Sequence, residues 1–515
     1  MPSTPTTKSQ VHAYQFVIRR MESALVRKDA VMLHEPTRTQ ARATVVGAIL
    51  AAVCVLGFMI YGFLSPAGAP PKDGGIVISK QSGAVYVMLT NPKMLVATPN
   101  MASARLLLMA MGGQVQQDGP TTVDESSLTG VSRGAFTGIP GAPELLPTQD
   151  QRVSPDWGVC DSLTLDQSDN QPELNPDVLT TAFGGVTDLG RKLNPNEGLL
   201  LKDATGNVHL VYANPGSQGL AGHGFVRAKL DMKNQAVLDA LRIGDTVPRK
   251  VSTSLLNAIQ EVKPIKAPDV TGKGETPRYS MGGNKIGSVV RYENADSGYS
   301  YFLLLSDGVQ EIPSAVAALM RQSNSSSTDW PAVQPSLVTQ AGKSQNPVDI
   351  KDFPTAIPKI VPVATATTTC LSWTLKDNKQ ITSIGVATAT PTPNKDLKPV
   401  QLAQADGNGE AVDQFFMPPG KAAVVRSSTG DNNLNGPIYL VSDRGVKFSV
   451  PSVEVAKGLG LGEQFPLAPE TILTTLPSGP ALDPKDAARM FDTVEISGGP
   501  AVRRPGPTTG AQAGG

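Results

Sequence analysis

The chain has 515 residues, a length that suggests about three or four domains. Its 45 basic and 45 acidic residues give a formal net charge of zero, which excludes the overall basic character typical of nucleic-acid-binding proteins. Its 50 glycines and 43 prolines make up about 18% of the residues, against an average near 12%, and aromatic residues make up 5%. This composition favours short strands and many turns over long helices.

The first predicted element is a helix from Ser9 to about Leu33, within a cytoplasmic segment 1–43. Apolar residues recur on one face at helical spacing, and basic residues occupy other faces. The residues that we expect to bind a partner are Tyr14, Ile18, Arg19, Arg20, Met21 and Leu25. Docking on a partner helix is favoured over binding to anionic lipid, because the apolar stripe is narrow and contains a tyrosine. A solvated helix without a partner is the alternative.

A stretch of 21 residues without charge or proline follows, at 44–64. At about 1.5 Å per residue, a helix of this length spans roughly 30 Å, the thickness of the hydrocarbon core of a bilayer. Basic residues outnumber acidic ones before it, and few charges follow it. The positive-inside rule therefore predicts a single-pass protein with a cytoplasmic N-terminus. A cleaved signal peptide is the alternative, but its basic segment and its apolar core would both be shorter.

The rest of the chain contains a recurring pattern of strand, turn, strand and helix. At 289–320 and 424–461, Val-Val-Arg precedes an apolar strand, a turn with Ser-Asp and Gly, a second strand and Pro-Ser. The segments 78–89 and 201–216 resemble the same hairpin.

A second recurring piece, a short apolar helix followed by a Pro-rich strand, is predicted to close the copies at 131–147, 251–268 and 468–484. Such self-similarity is typical of an array or a pseudo-symmetric assembly. The sequence therefore predicts four repeats, at 70–150, 190–270, 280–350 and 415–490.

Cys160 and Cys370 are the two cysteines outside the predicted span, since Cys54 lies within it. We expect them to form a disulfide, because such bonds persist outside the cytoplasm; two unpaired buried thiols are the alternative. The β-rich segments around them, 151–185 and 355–412, are predicted to form one discontinuous central β domain. The second and third repeats would then be inserted between its halves. The tail 499–515 is predicted to be disordered.

Patterns that carry catalytic or ligand chemistry are weak in this sequence. The four histidines do not stand at metal-ligand spacing, so we expect no metal site. Ser132 lies in a Gly-x-Ser-x-Gly pattern, but it aligns with Ser252 and Pro469 of other repeats and so indicates repeat architecture. Gly342-Lys343-Ser344 resembles the end of a phosphate-binding loop but lacks its first glycine. We predict no catalytic residue and no cofactor.

The N-terminal segment QVHAYQFVIRRMESALVRKDA, the span directly after it, the four repeats and the two cysteines resemble the EccB family. EccB is a membrane core component of the mycobacterial type VII (ESX) secretion system. The resemblance covers nearly the whole chain. It implies partners: the motor ATPase EccC, the subunits EccD and EccE, and the mycosin protease MycP. It also implies a disulfide between Cys160 and Cys370. An ATPase activity is attributed to the family, although this sequence has no intact phosphate-binding loop.

The predicted fold class is α+β: an N-terminal cytoplasmic helix, a single transmembrane helix, and an elongated β-rich periplasmic region of four repeats around the central β domain. The predicted function is a structural and assembly subunit of the inner-membrane secretion complex. It would link the cytoplasmic motor to a periplasmic scaffold and self-associate through its repeats. The alternatives are a membrane-anchored periplasmic nucleotide hydrolase and a cell-wall-binding protein. An enzyme would need titratable groups that converge in one pocket.

Overall fold

The structure, a computed structural model, divides the chain into two compact units, Met1–Pro70 and Pro71–Gly515. The residues it describes are 7–28, 36–64, 74–113, 119–165, 176–216, 224–294, 298–324, 330–377, 379–394, 396–407, 411–429 and 435–493. The predicted disordered tail lies outside these residues.

In the part of the first unit that the structure describes, there are two helices, α1 (Lys8–Arg27) and α2 (Pro36–Leu64). A capping box starts α1, in which the backbone N–H of Thr7 donates to the Gln10 side chain at 3.0 Å. Lys28 follows in the left-handed conformation, so the helix ends before the predicted Leu33; residues 29–35 lie outside the described part. The segment 44–64, predicted to span the membrane, lies within the longer helix α2. The helix begins at Pro36, because proline suits the first helical position and no helix breaker follows it.

The second unit holds the remaining helices, most of them short. They are α3 (Met101–Ala110), α4 (Gln235–Leu241), α5 (Thr253–Ala258), α6 (Ser314–Asn324), α7 (Pro335–Ala341), α8 (Val453–Gly458), α9 (Glu470–Leu473) and α10 (Pro484–Ala487).

Strands dominate the second unit. In chain order they are β1 (Gly75–Ser79), β2 (Val85–Thr90), β3 (Lys93–Thr98), β4 (Thr121–Val123), β5 (Phe136–Thr137), β6 (Trp157–Thr164), β7 (Asp177–Gly184), β8 (Arg191–Lys192), β9 (Glu197–Lys202), β10 (Val208–Asn214), β11 (Gly224–Leu230), β12 (Arg249–Lys250), β13 (Glu261–Val262), β14 (Val289–Glu293), β15 (Tyr299–Leu304), β16 (Val309–Ile312), β17 (Lys359–Ile360), β18 (Thr368–Lys376), β19 (Lys379–Ala387), β20 (Val400–Gln401), β21 (Gln414–Phe416), β22 (Ala422–Ser428), β23 (Ile438–Ser442), β24 (Lys447–Val450), β25 (Leu467–Pro469) and β26 (Met490–Phe491).

A central seven-stranded sheet joins two distant parts of the chain in the order β20-β21-β7-β6-β18-β19-β8. Strands β6 and β18 are neighbours in its middle and are buried along most of their length. The sheet extends beyond the predicted limits of the central domain. Strand β8, which we assigned to the second repeat, pairs with β19, and β21 continues to Phe416.

Four further sheets share one connection, and we call them modules. Each is a three-stranded antiparallel meander followed by a first helix. The chain then returns parallel to the first strand, forms a short second helix, and runs parallel to the third strand. The first module (75–134) uses β1, β2, β3 and β4; the second (197–262) uses β9 to β13; the third (289–344) uses β14, β15 and β16; the fourth (422–479) uses β22 to β25.

Each module sheet has two apolar faces because alternate residues of a strand point to opposite sides. The front face lies under the first helix, which is α3, α4, α6 or α8 in modules one to four. The back face lies under the second helix: the 3₁₀ helix Glu125–Leu128, then α5, α7 and α9. Both faces of every module therefore carry a buried cluster.

The closing piece of the first module was predicted at the wrong place. Residues 131–147 contain no helix, only β5; the corresponding second helix is Glu125–Leu128. Ser132 therefore does not correspond to Ser252. The prediction matched the Val-Ser dipeptide of the first module to the one in the second. In the fold, the corresponding residues of two modules are those that pair with the first and third strands of each sheet. The third module also has this piece, at 332–343, where no clear match to the recurring pattern was predicted.

Candidate functional site

The first unit presents exposed apolar surface on both of its helices. Of α2, 39–62 is long and apolar enough to cross a membrane, and none of it is buried. On α1, Tyr14, Met21 and Leu25 are 68%, 57% and 82% exposed. The remaining predicted partner-binding residues are Ile18, which is half-buried, and Arg19 and Arg20, which are exposed. Apolar side chains are therefore exposed on both helices of the first unit.

The centre of the second unit is held by a disulfide between Cys160 and Cys370, whose sulfur atoms are 2.03 Å apart. The two residues face each other directly on β6 and β18, and both are fully buried. Aromatic and aliphatic side chains surround them, including Phe183 and Phe416. The bond encloses a loop with a sequence separation of 210, which contains the second and third modules.

Asp161, next to the disulfide, ties the second module to the central sheet. Its carboxylate accepts hydrogen bonds from the Ser252 N–H at 2.6 Å, the Ser252 hydroxyl at 2.8 Å and the Thr180 hydroxyl at 3.0 Å. Ser252 is also the N-cap of α5, where its Oγ accepts from the Leu255 N–H. A carboxylate of the central sheet thus fixes the start of a helix in the second module.

Burial raises the pKa of Asp161 to about 6, although the hydrogen bonds from Ser252 and Thr180 oppose the shift. Another buried carboxylate, Asp413, raises the pKa of Asp161 further by repulsion. Asp413 accepts from the backbone N–H groups of Thr180, Asp406 and Gly407. These partners satisfy the two carboxylates within the fold, which indicates a structural role.

Arg249 forms a second tie between the same two parts. Its guanidinium is buried and donates to the Ala366 carbonyl at 3.0 Å and to the Thr369 hydroxyl at 2.5 Å. Asp161, Ser252 and Arg249 were not among the site residues predicted from the sequence. A usable signal exists for Asp161: β6 is apolar on both faces, as expected of a central strand, so a carboxylate within it is buried.

The Gly-x-Ser-x-Gly pattern does not form a nucleophile elbow. Ser132 lies in a segment that runs parallel to β3: its carbonyl accepts from the Leu95 N–H, and the Gly134 N–H donates to the Leu95 carbonyl. An elbow needs a strand before the serine and a helix directly after it. Here the preceding element is the 3₁₀ helix Glu125–Leu128, and β5 follows. The pattern is part of the module.

Gly342-Lys343-Ser344 also differs from a phosphate-binding loop. Such a loop precedes a helix, so that the N–H groups at the helix N-terminus face the phosphate. Here the three residues follow the C-terminal end of α7. The Gly342 carbonyl accepts from the Val309 N–H, and the Ser344 N–H donates to the Val309 carbonyl. The backbone of the segment pairs with β16 in place of binding an anion.

The described residues contain no group of three His, Cys, Asp or Glu side chains that could hold a metal ion. Of the histidines, His209 is paired with Asp203 at 3.4 Å, and burial lowers its pKa. His12 is exposed on α1, and His34 and His223 lie outside the described residues.

Comparison with known proteins gives one consistent family. Residues 3–496 match the family described as "Type VII secretion system ESX-1, transport TM domain B". A relative named "ESX-3 secretion system ATPase EccB3", from Mycolicibacterium smegmatis (strain ATCC 700084 / mc(2)155), is 29% identical over 504 residues, which cover 95% of this chain and 92% of the relative.

Solved structures agree with the sequence match. A chain of the intact ESX-5 inner membrane complex aligns with a TM-score of 0.69 and 27% identity, and the alignment covers 98% of this chain and 99% of that one. A chain described as the EccB3 dimer from the ESX-3 core complex aligns with a TM-score of 0.67 at 24% identity, over 81% of this chain and 100% of that chain; this likeness concerns the fold.

Proposed function

We propose a role for this chain that starts from its family: it belongs to the EccB family of type VII secretion systems, as its match over residues 3–496 shows. In this role it is an assembly subunit of the inner-membrane secretion complex. In this proposal the chain crosses the membrane once, through α2. It presents α1 to partners in the cytoplasm and the second unit to partners in the periplasm. The observation that carries the proposal is the exposed apolar surface of the first unit, which lipid and neighbouring subunits would cover.

The orientation rests on charge and on the disulfide. Basic residues are concentrated before α2, as expected for a cytoplasmic flank. The disulfide Cys160–Cys370 supports an oxidising compartment for the second unit. Both observations favour a cytoplasmic N-terminus and a periplasmic second unit.

The partners we propose are the motor ATPase EccC, the membrane subunits EccD and EccE, and the protease MycP on the periplasmic side. The stripe Tyr14, Ile18, Met21 and Leu25 would bind a partner helix at the membrane surface. The four modules, as copies of one repeat, would form the periplasmic scaffold. Because an EccB3 relative is described as a dimer, we also propose that this chain self-associates through its modules.

The test of α1 is affinity purification of the tagged full-length chain from its native membrane. We expect Met21→Glu with Leu25→Glu to abolish co-purification of the motor ATPase, because charges on the apolar stripe disfavour helix docking. His12→Glu with Ser23→Glu adds the same charge on the opposite side of the helix and should leave the complex intact. Equal recovery of the motor with both double variants would refute the role of α1, and recovery of the wild-type chain alone would refute the assembly function.

The curated relative carries the word ATPase in its name, so the purified chain should also be assayed for ATP hydrolysis. The pairing of Gly342-Lys343-Ser344 with β16 gives no support for a phosphate site there. Hydrolysis that survives Lys343→Ala would place any nucleotide site elsewhere in the chain.

A further inference from the structure

Contacts between modules alternate between front and back faces. The first and fourth modules meet through their first helices, where Arg105 of α3 donates to the Leu459 carbonyl, after α8, at 2.6 Å. The second and third modules also meet through their first helices, since Leu238 of α4 and Leu319 of α6 share one buried cluster. Contact by the front face is therefore used twice.

The second and fourth modules meet through their back faces. Their second helices α5 and α9 contact each other and the central strand β6. Leu255 of α5 and Ile472 of α9 are 0% and 2% exposed within one shared cluster. This arrangement shows that two back faces of this chain, with the central sheet, can form a common core.

Among the described residues, no second module packs on the same face of the third module, although Met281 of the segment before β14 belongs to its buried cluster. Its second helix α7 buries none of its residues, and Leu337 and Val338 are only partly buried. A pocket of about 600 Å³ opens between α7 and the sheet. The stacked rings of Tyr292 and Phe302 form part of its lining, with centroids 5.2 Å apart.

The back face of the first module is more closed. Leu128 of its 3₁₀ helix is fully buried, and the Arg133 guanidinium covers the Tyr86 ring at 4.9 Å. Of the two modules whose back face meets no other module within the described residues, the third therefore offers the concave apolar surface.

Two opposite charges lie on the rim of this surface. Glu311 and Lys343 both line the pocket and are exposed, and within the part of the chain that the structure describes neither has an ion-pair partner. A surface that carries one charge of each sign can pair with itself about a two-fold axis, with each glutamate near the lysine of the other copy.

We propose that the back face of the third module packs against the same face of a second copy of this chain. The contact would continue the alternation of front and back faces across the dimer. It would repeat the packing of two back faces that already joins the second and fourth modules. It names the surface for the self-association proposed above and rests on that proposal. A two-fold contact closes at the dimer, whereas a contact between third and first modules would be heterologous and would build a ring or an open chain.

Cysteine crosslinking in native membranes tests the contact on the full-length chain. In a Cys54→Ser background, Thr339→Cys places a thiol on the exposed side of α7, and Ser323→Cys places one on α6, at the opposite face of the same module. With a short bis-maleimide reagent, we expect covalent dimers from Thr339→Cys at several times the yield from Ser323→Cys. Equal yields, or none from Thr339→Cys, would overturn the proposal.

A second variant separates dimerisation from other occupants of the pocket. In the Thr339→Cys background, Val338→Glu would put an unpaired charge into the contact and should weaken dimerisation roughly hundred-fold. Ser323→Glu is the matched control and should leave the yield unchanged. Circular dichroism establishes that each variant folds. If Val338→Glu removes a different co-purifying protein while the crosslink persists, the proposed dimer contact is wrong. Wild-type co-purification of the secretion subunits reports separately on the assembly function.

Discussion

The second and third modules have the same connection, yet their back faces have different surroundings. In the second module this face is merged with the central sheet and the fourth module, and Asp161 fixes the N-cap of its second helix. In the third, the corresponding helix α7 lies at the surface beside a pocket. The contrast shows that module topology and module packing are separate properties. Packing here depends on the few residues that face a neighbouring module.

Of the changes that test this contrast between the second and third modules, removal of the disulfide should lower the free energy of unfolding most. The double change Cys160→Ser and Cys370→Ser opens a loop with a sequence separation of 210, and loop-closure entropy predicts a loss on the order of 5 kcal/mol in the free energy of unfolding. Urea unfolding followed by tryptophan fluorescence measures it, because Trp157 and Trp373 are paired on β6 and β18. Cys54→Ser is the control.

The double variant Cys160→Ser and Cys370→Ser should change amide hydrogen exchange more in the second module than in the third. We expect backbone amides of β9 and β10 to exchange hydrogen faster, because the second module shares its core with the central sheet. Amides of β15 should change less, because the third module has separate clusters on its two faces. Equal acceleration in both modules would contradict the assignment of the shared core.

Leu255 and Leu337 permit a matched comparison, since each is the third residue of its second helix. Leu255 is fully buried, and Leu255→Ala should cost about 2–5 kcal/mol in the free energy of unfolding through lost contacts and a cavity. Leu337 is partly buried, and Leu337→Ala in the monomer should cost about 1 kcal/mol. Urea unfolding of both variants measures the difference. Equal losses would mean that the back face of the third module is already covered.

The smallest expected effect is the pH dependence due to Asp161. Its folded-state pKa is raised to about 6, so the folded state binds this proton more tightly than the unfolded chain does. The contribution of Asp161 to stability should therefore rise as pH falls through about 6 and be lost as pH rises, by about 1 kcal/mol between about pH 5 and about pH 7.5.

Unfolding of the wild type and of Asp161→Asn at several pH values isolates this contribution. The asparagine variant should lose it and be less stable throughout, because its amide N–H₂ cannot accept both bonds from Ser252. Asp307 of the third module supplies the opposite sign: the hydrogen bond from Ser344 lowers its pKa, so its contribution disappears as the solution is acidified. Identical pH profiles for the wild type and Asp161→Asn would refute a buried ionised Asp161.

Sequence reasoning was most successful where the signal is local. Turn residues such as Gly308 and Gly445 lie between the strands of their hairpins, as predicted, because the hairpin signal is contained in a few adjacent residues. It failed at the second helix of the first module. There the apolar pattern of Val123 and Leu128 is short, and a Val-Ser dipeptide at 131–132 offered a competing alignment.

By itself, the sequence determined the membrane helix, the turn positions and the resemblance to EccB, because each depends on composition or on contiguous residues. It also singled out Cys160 and Cys370, since no other cysteine lies outside the span. Only the tertiary structure decided that β8 joins the central sheet and that Asp161 of this sheet binds the N-cap residue of a helix in the second module. The tertiary structure also decided that the back face of the third module borders a pocket instead of a second module. These features depend on contacts between residues far apart in the chain, and no short pattern encodes which of several similar apolar faces will meet.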